Sequence, residues 1–203
     1  VENVEPFMHS LTWHGTCREL HDNGFATDAA VVDTADLSLP QRRRRMIGIG
    51  YAGPLACGMR PAELALRASD PVTVADMFPD VKYFFYNGRF GKQIYSAADV
   101  SPALKCNCAK QPARNYRPRP RDAAPLAAAT VFTISQLAAI QGFRPGYILP
   151  PRGRRCPCRF CSSNAQDMAG RQIGNAIAPP VAEWALRRLL EMSCTAAASP
   201  SAA

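Results

Sequence analysis

The chain has 203 residues, of which 47% are hydrophobic, and carries a formal net charge of +8 with eight cysteines. That is enough apolar material for one or two compact units. No run reaches the roughly 18 apolar residues that a membrane-spanning helix needs, and the basic balance favours a polyanionic partner. The first residues carry acids rather than a basic stretch followed by an apolar one, so no secretory leader is expected. The expected location is therefore intracellular, the nucleus in a eukaryote and the cytoplasm in a bacterium. There the cysteines are thiols or metal ligands rather than disulfides.

In chain order, Val1-Glu2-Asn3-Val4 predicts the end of a buried strand before the loop at Pro6. Leu11–Asn23 is patterned for a helix stopped by Gly24. Ala29–Val32 and Met46–Tyr51 read as strands, joined by a loop over Asp33–Arg45. Within that loop, Gln41-Arg42-Arg43-Arg44-Arg45 runs directly into apolar sequence. A solvated basic run would continue into polar residues, so this one predicts arginines at a strand mouth, aimed at phosphate or base acceptors. Residues 52–75 are irregular, with one helix over Pro61–Ala68. Lys82–Tyr86 and Lys92–Tyr95 form a hairpin turned at Asn87-Gly88. Lys105–Ala129 is rich in Pro, Arg and Ala and reads as a linker. Thr133 and Gln136 make a capping box for a helix through Gln141, ended by Gly142. Pro150–Gly170 is a Cys/Arg loop. Gly170–Pro180 opens the last helix, Val181–Met192, and Ser193–Ala203 is a frayed tail.

Three of these segments, in this order, resemble the C-terminal half of the DNA cytosine-5 methyltransferases: Glu2-Asn3-Val4, Gln41-Arg42-Arg43-Arg44-Arg45 and Gln172-Ile173-Gly174-Asn175. Gln93-Ile94-Tyr95-Ser96 with Ser101-Pro102-Ala103-Leu104, and Phe132-Thr133 through Gln141-Gly142-Phe143, are similar to two further stretches of that family. Ala103 and Gln136 depart from its usual Thr and Glu, and an Arg expected before the helix is absent. The family's Pro-Cys-Gln nucleophile loop and its Phe-x-Gly-x-Gly cofactor loop precede the Glu-Asn-Val element, and neither occurs here. A chain truncated at its N-terminus is the simplest expectation.

The resemblance implies an α/β fold: the C-terminal part of a Rossmann-like sheet plus a small, mostly β or irregular target-recognition domain. It implies a catalytic-domain portion at 1–52, target recognition over 53–169, and a returning helix with a frayed tail at 170–203. The implied methyl donor is S-adenosylmethionine and the implied substrate is double-stranded DNA, with the missing N-terminal half as partner.

Methylating carbon 5 of cytosine requires attack at carbon 6, which builds negative charge on the ring. A carboxylic acid at ring N3 and cations at the ring oxygen stabilise that charge once the base has left the duplex. By resemblance Glu2 is that acid, and Arg45, with Arg43, faces the base oxygen. Arg42 and Arg44 alternate to the other side, toward phosphate or solvent. Asn175, Ala176 and Ile177 lie beside the amino-acid part of the methyl donor. Arg89 and Lys92 are further DNA candidates. Arg114, Arg117, Arg119 and Arg121, interleaved with Tyr116 and prolines, read equally as a phosphate-tracking segment or a solvated linker. Cys106, Cys108, Cys156, Cys158 and Cys161 read as free thiols, with zinc the alternative; no metal is required. Two other readings stay open. One is a non-catalytic DNA-recognition subunit of a split enzyme, and the other is an inactive remnant.

Overall fold

The computed structural model describes residues 1–52, 71–88, 91–105, 128–147 and 165–197. Its first layer is a three-stranded sheet in the order β1-β4-β2, where β1 is Glu2–Val4, β2 is Phe25–Asp33 and β4 is Arg44–Ala52. Both β1 and β2 pair antiparallel with β4, so they run parallel to each other, and α1 (Leu11–Asp22) is the crossover between them. Ser10 starts α1 by accepting the Trp13 N–H on its hydroxyl, which satisfies one of the free donors of the first turn. This is an α/β arrangement, as expected.

Period-2 alternation on β4 divides its side chains between two cores. Met46 and Gly48 face α1, where Trp13 lies across the sheet. A Cβ on Gly48 would overlap the Trp13 ring, so only glycine leaves room for that indole. Ile47 and Ile49 face the other way. They join Val32, Leu39, Ala178 and Val181 in a cluster covered by Trp184 and Leu189 of α5 (Pro179–Ala197).

The second unit is a sheet in the order β6-β5-β8, from Tyr83–Gly88 (β5), Gly91–Ser96 (β6) and Ala129–Thr130 (β8). Phe84, Tyr86 and Phe132 pack with Val74 of α2 (Val74–Met77) and with Leu137, Ala138 and Ile140 of α3 (Ile134–Ile140). Ile173 of α4 (Ala165–Asn175) is fully buried in this same core. Two short strands join the units: β3 (Gln41–Arg42) pairs parallel with β7 (Ser101–Pro102).

Several sequence expectations need correction. The strand at the basic run begins at Arg44 rather than Met46, because antiparallel pairing with Asp33 and Val32 extends it over two arginines. Gly88 pairs with Gly91, so Asn87-Gly88 lies inside the ladder rather than forming the turn. Residues 165–170 are helical, and Gln172–Asn175 closes α4 instead of opening the last helix. That helix starts at the Pro179-Pro180 pair and runs on through Ala197, into the expected tail. The capping box of Thr133 and Gln136 is present as expected. The helix expected over 61–68 and most of the 105–129 linker lie outside the described residues. No described helix is long and apolar enough to cross a membrane.

Candidate active site

The two elements that carry the acid and the basic run are neighbours. Register pairs Glu2 with Ile47 and Val4 with Arg45, which places Glu2 and Arg45 diagonally on one face. Glu2 Oε1 lies 2.9 Å from Arg45 Nε, and both side chains are about four-fifths buried. The N–H is not aligned on that oxygen, which accepts no hydrogen bond and is shut from solvent. The contact is therefore coulombic, and the buried carboxylate oxygen is left without a directed donor.

Arg44 points to the opposite face. It is exposed and donates from Nη2 to Glu5 Oε1 at 2.8 Å. Arg42 is exposed on β3.

Arg43 is different. It is 4% exposed. Its Nη1 donates to the carbonyls of Leu104 (2.9 Å) and Gly174 (3.0 Å), and its Nη2 to that of Ala176 (3.4 Å). Gly174 lies in the last turn of α4, where backbone carbonyls lack helical partners and a guanidinium complements the negative helix end. Two fully buried glutamines complete this seam. Gln41 Oε1 accepts the Leu104 N–H (2.6 Å) and its Nε2 donates to Gln141 Oε1 (2.9 Å). Gln141 Nε2 donates to Ala176 O (2.8 Å).

The structure thus brings Glu2 with Arg45, and Arg43 with the segment Gly174–Ala176. Asn175 is exposed, Ile177 is 42% exposed, and Ala176 is half-buried. Sequence reasoning assigned no role to Gln41 or Gln141. The available signal was two glutamines at the ends of apolar segments, where a buried amide must find partners. Lys92 lies on β6. Arg89, Arg114, Arg117, Arg119, Arg121 and the five clustered cysteines lie outside the described residues. Among the described residues no group of His, Cys, Asp or Glu could hold a metal ion.

No protein-family profile matches the chain. In sequence it is 28% identical over 182 residues to the type II methyltransferase M.HgiDI of Herpetosiphon aurantiacus, an alignment that takes in 87% of this chain and 54% of that protein. It therefore spans about half the length of the curated relative it matches. In fold it is similar to the Entamoeba histolytica methyltransferase EhMeth, with a TM-score of 0.63 at 15% identity, covering 94% of this chain and 61% of that one. It is also similar to the S. pombe methyltransferase Dnmt2, with a TM-score of 0.60 at 12% identity, covering 94% of this chain and 65% of that one.

Proposed function

We propose that this chain, similar to methyltransferases in sequence and in fold, is the C-terminal portion of an S-adenosylmethionine-dependent DNA cytosine-5 methyltransferase. The observation that carries the reading is the buried Glu2 oxygen without a directed hydrogen bond, beside the Arg45 guanidinium. An acid so placed can meet ring N3 and the exocyclic amine of a flipped cytosine, while Arg45 stabilises charge that develops on the ring oxygen. S-adenosylmethionine supplies the methyl group, and Asn175, Ala176 and Ile177 would hold its amino-acid part; the exposed Asn175 and Ile177 are free to do so. Arg42 and Arg44 are solvent-facing and suit phosphate.

The chain has neither the nucleophile loop nor the glycine-rich cofactor loop, so the reading requires an upstream half. Two features support a missing neighbour. Among the described residues β1 and β2 have no strand on their outer edges. Leu186 and Leu190, one turn apart on α5, are 61% and 65% exposed.

The test is transfer of labelled methyl from S-adenosylmethionine to cytosine-containing DNA, by the chain alone and by the enzyme completed with its upstream half. The chain alone is expected to be inactive, because binding groups do not replace a covalent catalyst. In the complete enzyme, Arg45→Ala and Glu2→Gln are expected to lower turnover by about 100–1000-fold with DNA affinity kept. Arg42→Ala is expected to weaken DNA binding instead. Turnover by the chain alone that vanishes on mutating one of its own cysteines would overturn the reading. So would intact turnover in both Arg45→Ala and Glu2→Gln.

A further inference from the structure

The buried hydrogen bonds at the seam close into a ring. Leu104 donates to Gln41, Gln41 to Gln141 and Gln141 to the Ala176 carbonyl, while Arg43 donates to that carbonyl and back to the carbonyl of Leu104. The three amide bonds all point the same way along the ring. Turning over either glutamine amide would set donor against donor at one contact and acceptor against acceptor at the next. Such chains polarise one another and specify one arrangement in a dry seam.

The ring joins four segments that otherwise belong to different parts of the fold. Gln41 and Arg43 lead into β4, which carries Arg45 two residues on. Leu104 and Gln141 belong to the second unit's core or its edge. Ala176 sits between α4, whose Ile173 is in that core, and α5, whose Val181 is in the other. Gly142, next to Gln141, closes the same seam. Its φ is +91° and a Cβ there would lie 2.8 Å from Pro180 Cδ, at the start of α5.

We propose that Gln41, Arg43 and Gln141 are positioning residues that set the Asn175–Ile177 segment relative to the strand mouth holding Glu2 and Arg45. This rests on the reading above, in which the segment holds the methyl donor and the strand mouth holds the base. Ala176 takes two donors on one carbonyl, so the segment cannot slide along the strand without breaking both. The ring thereby fixes the distance between donor and base, and Arg43 acts through the segment rather than on the base.

The experiment compares Gln141→Met with Thr133→Ala in the complete enzyme. Methionine keeps the shape of Gln141 and removes both bonds, whereas Thr133→Ala only weakens the cap of the same helix. Gln141→Met is expected to raise the KM for S-adenosylmethionine about tenfold, with the KM for DNA within about twofold. Thr133→Ala, at an equal or larger drop in melting temperature, is expected to leave both unchanged. An unchanged methyl-donor KM in Gln141→Met, or equal shifts in the two variants, overturns the proposal. Deuterium exchange at the Leu104 amide reads the ring without any chemistry. It is expected to quicken in Gln141→Met, since Gln41 loses its acceptor, and a wild-type rate there overturns the ring as a unit. If wild-type enzyme transfers no methyl group while Leu104 exchange still quickens, the functional reading fails and the ring stands.

Discussion

Replacing Arg43 with methionine isolates what its guanidinium does, because the stem volume is largely kept. The Leu104 and Gly174 carbonyls lose donors at 2.9 and 3.0 Å, whereas Ala176 keeps Gln141 at 2.8 Å. Each buried acceptor left without a partner costs about 1–3 kcal/mol, so the gross loss is about 2–6 kcal/mol. Removing a buried cation also returns part of its desolvation cost, several kcal/mol per ion in the interior, which trims the loss to about 1–4 kcal/mol. That is a large share of the roughly 5–15 kcal/mol that holds a typical domain folded. The measurement is urea unfolding of the native protein, comparing midpoints at unchanged slope. Arg43→Lys should fall between, since one ammonium can reach only part of the carbonyl set. A loss below about 1 kcal/mol for Arg43→Met would refute the reasoning, because it would mean water or neighbouring donors satisfy those carbonyls.

Gly48→Ala should destabilise by about 1–3 kcal/mol through overpacking against Trp13, and thermal melts that match wild type would contradict this close contact. The Thr73 backbone N–H, and then its hydroxyl, hold the Asp76 carboxyl below its usual range. The stabilisation of α2 is thus present above the ordinary aspartate pKa and fades as pH falls through the lowered value. The protection of the residue 76 amide, taken relative to the intrinsic exchange rate at each pH, should fall on acidification in wild type and stay level in Asp76→Asn. DNA affinity should fall steeply with salt, and charge reversal across Arg114, Arg117, Arg119 and Arg121 should weaken all sequences alike. A binding constant indifferent to salt would remove the phosphate-tracking reading.

The parts of this fold legible in the sequence were those governed by short-range chemistry. Gly24 ends α1 with its φ at +81°, and Thr133 with Gln136 caps α3, because helix ends depend on residues within a turn of them. The juxtaposition of Glu2 with Arg45 was not readable from spacing, since it depends on β4 inserting between β1 and β2. It was expected only through the resemblance. Gln172–Asn175 was misread as a helix start because glycine followed by asparagine and two prolines suits either side of a boundary. The helix before it decides, and its first residues looked like the end of a loop. Arg43 stood as one arginine among four. Nothing local separates a guanidinium that meets three carbonyls from one that meets solvent, because those carbonyls come from residues 61 to 133 positions away.

That separation bears on how the protein is made. Arg43 leaves the ribosome with a full positive charge and no partner, and the Ala176 carbonyl it binds follows 133 residues later. At about 5–20 residues per second, the interval is about 7–27 seconds. Throughout it the strand behind Arg43 can pair with β2, but its mouth must stay wet, since the polar groups of Gln41 and Arg43 would otherwise be buried unsatisfied. The seam therefore dries last, once α4 has emerged. Before that moment the apolar residues Leu39, Ile47 and Ile49 await α5, and the nascent chain is exposed to wrong pairings on that side of the sheet.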